Sequence, residues 1–458
     1  MSEIPKLRTY QVEAIANWKN NGYRGLLEMA TGTGKTITAL SCAHALLKEK
    51  GELVILIIVP TLDLCTQWAA EARQMLISNV ILANSKNKDW YKDVLISLSN
   101  DKPTFGIITT YATFLTGKFQ DLVKILPNTT LLIADEVHNF GTLKHISVYP
   151  PNINYRLGLS ATPDRYFDDE GSKAVNAYFN ATDHPTFQFM MDEAIEKGFL
   201  CEYYYYPKLV SLTGEELSEY KEISRKLMRF FDVSSGKLKD NNAVTSLLLK
   251  RKRIIHNAAG KLSVFKEILT DLVEKFKPLK YLLVYVPEGK DTQVDDEDIR
   301  LIDKYSGIIA RDFKLSQHQY IGGTVNREDI LGQFASGKID VLTAMKCLDE
   351  GVDVRRAEIA VFCSSTGNPR QFIQRRGRIL RTHPQKKYAT IYDLVVVPEI
   401  SSQYFEDTLL LEKSILQGEF RRVHEFAELA LNRYQALASI DDKAREFDID
   451  IFSQKNDR

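Results

Sequence analysis

Short, almost wholly apolar runs recur along the first part of the chain, at residues 25–27, 54–59, 105–109, 131–134 and 155–159, with longer mixed stretches between them. A strand exposed on one face alternates apolar and polar residues, so an unbroken apolar run predicts a strand covered on both faces, as in a parallel sheet flanked by helices. Residues 39–50 have helical periodicity and no Gly or Pro, and read as the helix after the first strand. A second series of runs, at 281–286, 339–343, 359–362 and 390–395, repeats the pattern. Between the two series, residues 213–275 are rich in Glu, Lys and Leu and poor in Gly and Pro, which predicts helices, and residues 401–447 read the same way. The expected fold class is α/β, with two parallel-sheet domains in tandem. The expected boundaries are 1–182 for the first domain, 183–275 for a crossover strand and helical insert, 276–400 for the second domain and 401–458 for a helical tail.

A length of 458 residues agrees with more than one core, because single cores stop growing near ~250–300 residues. Lys+Arg and Asp+Glu both number 60, so the bulk charge announces neither nucleic acid nor an anionic membrane, and any phosphate binding must come from a local groove. Five cysteines without a CxxC pair argue against a disulfide framework and a zinc site. The chain opens without a basic-then-apolar leader, and its longest apolar runs are too short to span a bilayer, so the expectation is a cytoplasmic protein with no membrane partner. No internal repeat or low-complexity tract stands out, and the acidic stretch 291–298 reads as a solvated loop.

Chemistry enters after the first strand, with Met29-Ala30-Thr31-Gly32-Thr33-Gly34-Lys35-Thr36 leading into the helix. Strand, glycine loop and helix is the setting of a phosphate loop. Its backbone N–H groups curl around phosphates, Lys35 adds a charge, and the Thr36 hydroxyl can hold Mg²⁺. Met29 stands where the strict pattern has glycine. About a hundred residues on, the apolar run 131–134 ends in Asp135-Glu136-Val137-His138. Ligand sites of open α/β sheets lie at that carboxyl edge. Asp135 is placed to hold Mg²⁺ and Glu136 to orient and deprotonate a water, as ATP hydrolysis requires. A DE pair alone would read as a solvated loop; joined to the phosphate loop it reads as an ATP site.

With Asp135-Glu136-Val137-His138 and Ser160-Ala161-Thr162 in order, the chain resembles the superfamily-two helicases. The stretch Tyr155-Arg156-Leu157-Gly158-Leu159-Ser160-Ala161-Thr162-Pro163-Asp164-Arg165 looks like their XPB-type and restriction-enzyme motor branch, which acts mainly on DNA. The resemblance implies two tandem RecA-like domains that use ATP and Mg²⁺. It implies that Gln11, in Leu7-Arg8-Thr9-Tyr10-Gln11, reads adenine, and that Thr31, Gly32, Thr33, Gly34, Lys35 and Thr36 hold the phosphates. Val59-Pro60-Thr61 with Gln67-Trp68, and Thr109-Thr110-Tyr111, match strand-contacting segments, with Pro60, Thr61 and Thr110 as the contacts. In the second half Leu342-Thr343-Ala344 and Asp349-Glu350-Gly351-Val352-Asp353 look like the fifth motif. That assigns Thr343 to the nucleic-acid backbone, Gly351 to the γ-phosphate and Asp353 to ribose. Gln374-Arg375-Arg376-Gly377-Arg378-Ile379-Leu380-Arg381 fits the sixth motif, with Arg378 and Arg381 as arginine fingers. His138, Ser160, Thr162 and Gln374 fall at coupling positions.

Other features have plainer readings. Lys250-Arg251-Lys252-Arg253 marks either a nucleic-acid path or a solvated helix face. Tyr203-Tyr204-Tyr205-Tyr206 reads as a strand joining the halves, with at most half its rings on one face. Phe420-Arg421-Arg422-Val423-His424-Glu425-Phe426 shows weak similarity to bacterial and phage helicases and suggests no mechanism by itself. The functional expectation is an ATP-dependent DNA helicase or translocase. The alternatives are an RNA helicase and a non-unwinding ATPase subunit with a nuclease, defence or repair partner. Lys35→Ala is expected to abolish ATP hydrolysis in a steady-state phosphate-release assay; a normal rate in that variant would sink the site assignment.

Overall fold

The computed structural model describes residues 6–165, 168–232, 237–238, 241–287, 300–322, 324–345, 354–363, 369–398 and 409–452. The chain divides after Leu200 into two compact units. The first carries seven strands: β1 (Arg24–Met29), β2 (Leu53–Val59), β3 (Val80–Ala83), β4 (Thr104–Thr110), β5 (Thr130–Asp135), β6 (Tyr155–Ser160) and β7 (Phe187–Phe189). They form one parallel sheet in the order β3-β4-β2-β5-β6-β1-β7. All five expected runs are strands of this sheet. β3 and β7, of four and three residues, lie at its two edges; β3 is an apolar run as long as 131–134 that the expected set omits, and β7 alternates buried and exposed positions.

All seven residues of β2 and all six of β5 are buried. Each large apolar side chain so covered stabilises the fold by about 1.5–3 kcal/mol relative to its exposed form. The helices that cover the sheet include α1 (Thr9–Asn20), α2 (Lys35–Lys50) and α3 (Leu62–Met75). On α3 the buried residues Leu64, Cys65, Trp68, Ala69, Ala72 and Met75 form one helical stripe against the sheet.

The second unit adds β8 (Tyr203–Val210), β9 (Phe231–Asp232), β10 (Lys237–Leu238), β11 (Leu282–Tyr285), β12 (Gln317–Tyr320), β13 (Val341–Ala344), β14 (Ile359–Phe362) and β15 (Ala389–Val396). Its parallel sheet runs β12-β13-β11-β14-β15-β8. The four-tyrosine strand pairs along its whole length with β15, so it is an edge strand of the second sheet. Its rings alternate as expected: Tyr203 and Tyr205 are buried, whereas Tyr204 and Tyr206 are partly exposed and stack on each other.

Residues 213–275 are helical at Gly214–Met228, Asn242–Asn257 and Gly260–Lys275. The antiparallel pair β9–β10 lies between the first two, and the composition did not reveal it. Phe265, Ile268, Leu269 and Leu272 of the third helix enter the second unit's core. The basic run 250–253 splits: Lys250, Lys252 and Arg253 are exposed, while Arg251 turns inward and pairs with Glu412 of the tail helix Leu409–Glu428 at 2.5 Å. Tyr220 also donates to Glu412, at 2.7 Å.

The motif around Arg422 acquires a structural role in the same way. Arg422 pairs with the buried Asp393 of β15, Tyr205 donates to that carboxylate at 2.8 Å, and Phe426 packs on Tyr205, Phe362 and Phe372. The tail is therefore built into the second core. Among the described residues no helix is long and apolar enough to cross a membrane.

Removing one member of a buried ion pair strands the other charge, at a cost of about 3–5 kcal/mol. Arg251→Ala is expected to lose stability of that order in urea denaturation, and Arg251→Met with Glu412→Leu to recover most of it.

Candidate active site

The phosphate loop takes its shape from β1 and α2. Gly32 and Gly34 both have φ of +89°, a left-handed conformation that a side chain disfavours, and Gly34 is the residue at which α2 begins. A Cβ at Gly34 would also meet the Gln11 amide at 3.0 Å. Met29 is the last residue of β1, buried and extended, so no glycine conformation is required there. Its carbonyl accepts from the Lys35 ammonium at 3.1 Å, which folds that side chain back over the loop. Thr33 closes the turn onto the Ala30 carbonyl at 2.7 Å, and Tyr10 donates to the Thr33 carbonyl. The Thr31 hydroxyl is buried and has no hydrogen-bond partner among the described residues. Thr36 sits, half-buried, in the first turn of α2. Amides, ammonium and helix N-terminus together make an anion cradle.

Gln11 is placed against this loop. Its Nε2 lies 3.2 Å from the Thr38 hydroxyl and 3.4 Å from the Gly34 carbonyl, and its Oε1 accepts the Arg8 N–H at 3.0 Å. The amide is thus engaged within the protein, and it braces the loop.

Strand order brings the acids to the cradle. β6 lies between β1 and β5, with Glu28 in register with Ser160 and Asp135 with Leu159. The phosphate loop, Ser160 and the acidic pair thus leave adjacent strand ends. Asp135 is buried, and its two carboxylate oxygens accept from the Glu136 N–H at 3.0 Å and from the Trp68 indole N–H at 2.9 Å. Burial foremost, and then the charge of Glu136, push its pKa up to about 6, against the pull of the Trp68 bond and of Lys35. Glu136 itself has φ of +47°, uncommon for a residue with a side chain. Tyr111 donates to the Asp135 carbonyl at 2.8 Å and Asn139 to the Glu136 carbonyl at 3.2 Å. Two carboxylates and a threonine hydroxyl are the hard oxygen donors that Mg²⁺ prefers, and a desolvated carboxylate beside a like charge is relieved by a divalent cation. The donor set fits Mg²⁺ beside a phosphate.

His138 joins the acids to the third motif. Its Nδ1 lies 3.5 Å from both Glu136 Oε2 and the Ser160 hydroxyl. The Ser160 oxygen also accepts the Thr162 N–H at 3.1 Å. Glu136, His138, Ser160 and Thr162 therefore form one contiguous chain.

The remaining expected residues divide. Pro60 and Thr61 follow β2, and Thr110 ends β4; both threonine hydroxyls cap helices, on Leu64 N–H at 3.3 Å and Thr113 N–H at 3.2 Å. Thr343 is fully buried in β13, with its hydroxyl 3.1 Å from the Ser306 hydroxyl and 3.3 Å from the His318 carbonyl. Gln374 and Arg378 lie buried on the helix Pro369–Ile379, with Arg381 just beyond it. Arg376 of that helix is structural, held by the Glu425 carbonyl at 2.9 Å and lying over the Phe426 ring. Gly351 and Asp353 lie outside the described residues.

Sequence reasoning placed Trp68 and Tyr111 only within strand-contact segments and missed their bonds to the acidic pair. The signal was available for Trp68: the stripe of α3 turns it toward the sheet, where a buried indole N–H needs an acceptor.

Comparison with known proteins extends this picture. Residues 4–165 match the family model of the type III restriction enzyme res subunit, and residues 268–383 that of the helicase conserved C-terminal domain. The chain is 29% identical over 411 residues to the DNA 3'-5' translocase XPB2 of Sulfurisphaera tokodaii, covering 85% of this chain and 81% of that protein. Among solved structures it is similar to the ATP-dependent type ISP restriction-modification enzyme LlaBIII bound to DNA (TM-score 0.60, 18% identity, 93% of this chain and 31% of that one). It is also similar to the Pyrococcus furiosus Hef helicase domain (TM-score 0.52, 18% identity, 85% of this chain and 95% of that one). The two sheets are thus tandem RecA-like domains.

The raised pKa of Asp135 has a signed consequence. Without metal the fold holds this proton up to about pH 6, whereas an unfolded chain releases it near 3.8. The folded state binds more protons in that window, so stability falls as pH rises through it and levels off above. Asp135→Asn, whose single amide oxygen can accept only one of the two N–H donors, is expected to lose this pH dependence, so that its stability relative to the parent chain improves by about 1–3 kcal/mol between pH 4 and pH 7, in urea denaturation with EDTA present.

Proposed function

The chain belongs to the superfamily-two helicases, in the branch of the ResIII and XPB motors, and we propose that it is an ATP-driven motor that moves along or unwinds DNA. The observation that carries the reading is the register of one sheet, which sets the Lys35 loop, Ser160 and the Asp135–Glu136 pair at adjacent strand ends. The DNA assignment draws on the translocase it is similar to and on the DNA-bound restriction enzyme whose fold it shares.

In this reading Lys35 and the loop amides bind the β- and γ-phosphates of ATP, and Thr36 and Asp135 hold Mg²⁺. When bound, the metal neutralises charge on those phosphates. Glu136 orients the attacking water and takes its proton. His138 passes the state of that carboxylate to Ser160 and Thr162. Arg378 and Arg381 are the cations that meet the γ-phosphoryl charge, and Pro60, Thr61 and Thr110 are strand contacts. Since the chain spans 31% of the type ISP enzyme, a partner protein that adds a further activity, such as a nuclease, is part of the same proposal, as is residence in the cytoplasm.

The test is steady-state ATP hydrolysis with single-stranded, duplex and forked DNA and with RNA at one fixed salt concentration, because phosphate-backbone binding falls steeply with salt. Several-fold stimulation by DNA is expected, and stimulation by RNA alone would overturn the reading.

A further inference from the structure

The segments read as strand contacts are physically joined to the acidic pair. β4, β2 and β5 are consecutive neighbours, with Val59 in register with Thr110 and Ile58 with Ala134. Thr110, Pro60 and Asp135 therefore leave the sheet side by side. Thr61 caps α3, and two turns along the same helix the buried Trp68 donates its indole N–H to Asp135 Oδ2 at 2.9 Å. Thr110 caps the one-turn helix Tyr111–Phe114, whose first residue reaches past β2 to donate its hydroxyl to the Asp135 carbonyl at 2.8 Å. That carbonyl belongs to the peptide joining Asp135 to Glu136, so Tyr111 fixes the plane from which Glu136 starts its left-handed turn.

Each contact segment thus caps a helix that carries one hydrogen bond to the acids. Trp68 holds the side chain of Asp135, whose other oxygen is fixed by the Glu136 N–H, so the carboxylate cannot rotate without breaking one of the two. Tyr111 holds the backbone instead. A rotation of α3 that follows a strand at Thr61 moves the Trp68 donor with it, because a helix turns as a rigid element, and a shift of Thr110 moves the adjoining Tyr111.

We propose that Trp68 and Tyr111 are positioning residues that carry strand binding to the hydrolytic acids, Trp68 by setting the metal-holding carboxylate and Tyr111 by setting the direction of Glu136. The inference rests on the motor reading above for its nucleic-acid half. The bond between Trp68 and Asp135 is independent of it.

Trp68→Phe keeps a ring and loses the N–H; Tyr111→Phe loses only the hydroxyl. In the full chain, ATP hydrolysis is measured against Mg²⁺, ATP and single-stranded DNA, with DNA affinity and melting temperature recorded for each variant. The Mg²⁺ concentration for half-maximal rate is expected to rise about tenfold in Trp68→Phe, the scale on which loss of a partner behind a metal ligand acts. Tyr111→Phe is expected to lower kcat with the Mg²⁺ requirement unchanged. In both, the ratio of DNA-stimulated to basal rate falls while DNA affinity is kept. Unchanged stimulation and Mg²⁺ dependence with only a lower melting temperature would overturn the proposal, since the bonds would then serve packing alone. If the parent chain responds to no nucleic acid, the motor reading and the coupling fail together, whereas the Mg²⁺ titration of basal hydrolysis still decides the role of Trp68.

Discussion

A parallel sheet buried on both faces can pass the chain to its covering helices only at the carboxyl ends of its strands, and the first unit depends on that constraint. β1 and β2 run there into the starts of α2 and α3, where helix N–H groups and the positive end of the helix dipole lie. Anions and their metal are drawn to that edge. β1 contributes the glycine loop and Lys35, β5 the two acids, β6 Ser160, and β2 and β4 the capping threonines. Strand order then decides which of these can touch.

Dryness sharpens the chemistry at this edge. Asp135 is buried by the core that makes β5 a strand, and its preference for a proton reflects that burial more than any single neighbour. Trp68 and the Glu136 N–H compensate with directed hydrogen bonds to its two oxygens. A carboxylate held in this way is preorganised for a cation and costs little reorganisation when one arrives. The uncommon backbone of Glu136 sits between two such anchors, Tyr111 before it and Asn139 after it.

The second unit handles buried polarity differently. There, paired charges fasten added helices to the sheet: Arg422 to Asp393, Arg251 to Glu412, and Arg376 to the Glu425 carbonyl. Pairs of this kind specify where a helix docks more than they strengthen the docking. They bring the sixth-motif helix, the strand β8 and the tail together where Phe426 packs on Phe372 and Tyr205. Basic residues that look like a nucleic-acid footprint in the sequence are partly spent on this fastening.

The phosphate loop and the acidic pair were legible because the residues of each are contiguous and local backbone chemistry decides them: glycines that must turn left, and acids at the end of an apolar run. Strands were legible where both faces are buried, since that burial writes an unbroken apolar run; β7 alternates, the β9–β10 pair has two residues to a strand, and β3 carries a four-residue apolar run absent from the expected strands. The bonds of Trp68, 67 residues from Asp135, and of Tyr111, 24 residues from it, follow only from the strand order β4-β2-β5. Likewise Thr343 carries the motif's residue type, yet its neighbours in the second sheet turn its hydroxyl inward. Local pattern determined the elements and the chemistry at their ends, because each depends on a few adjacent residues. Which side chains hold that chemistry in place depends on strand order and helix docking, and those are set by burial across the whole chain.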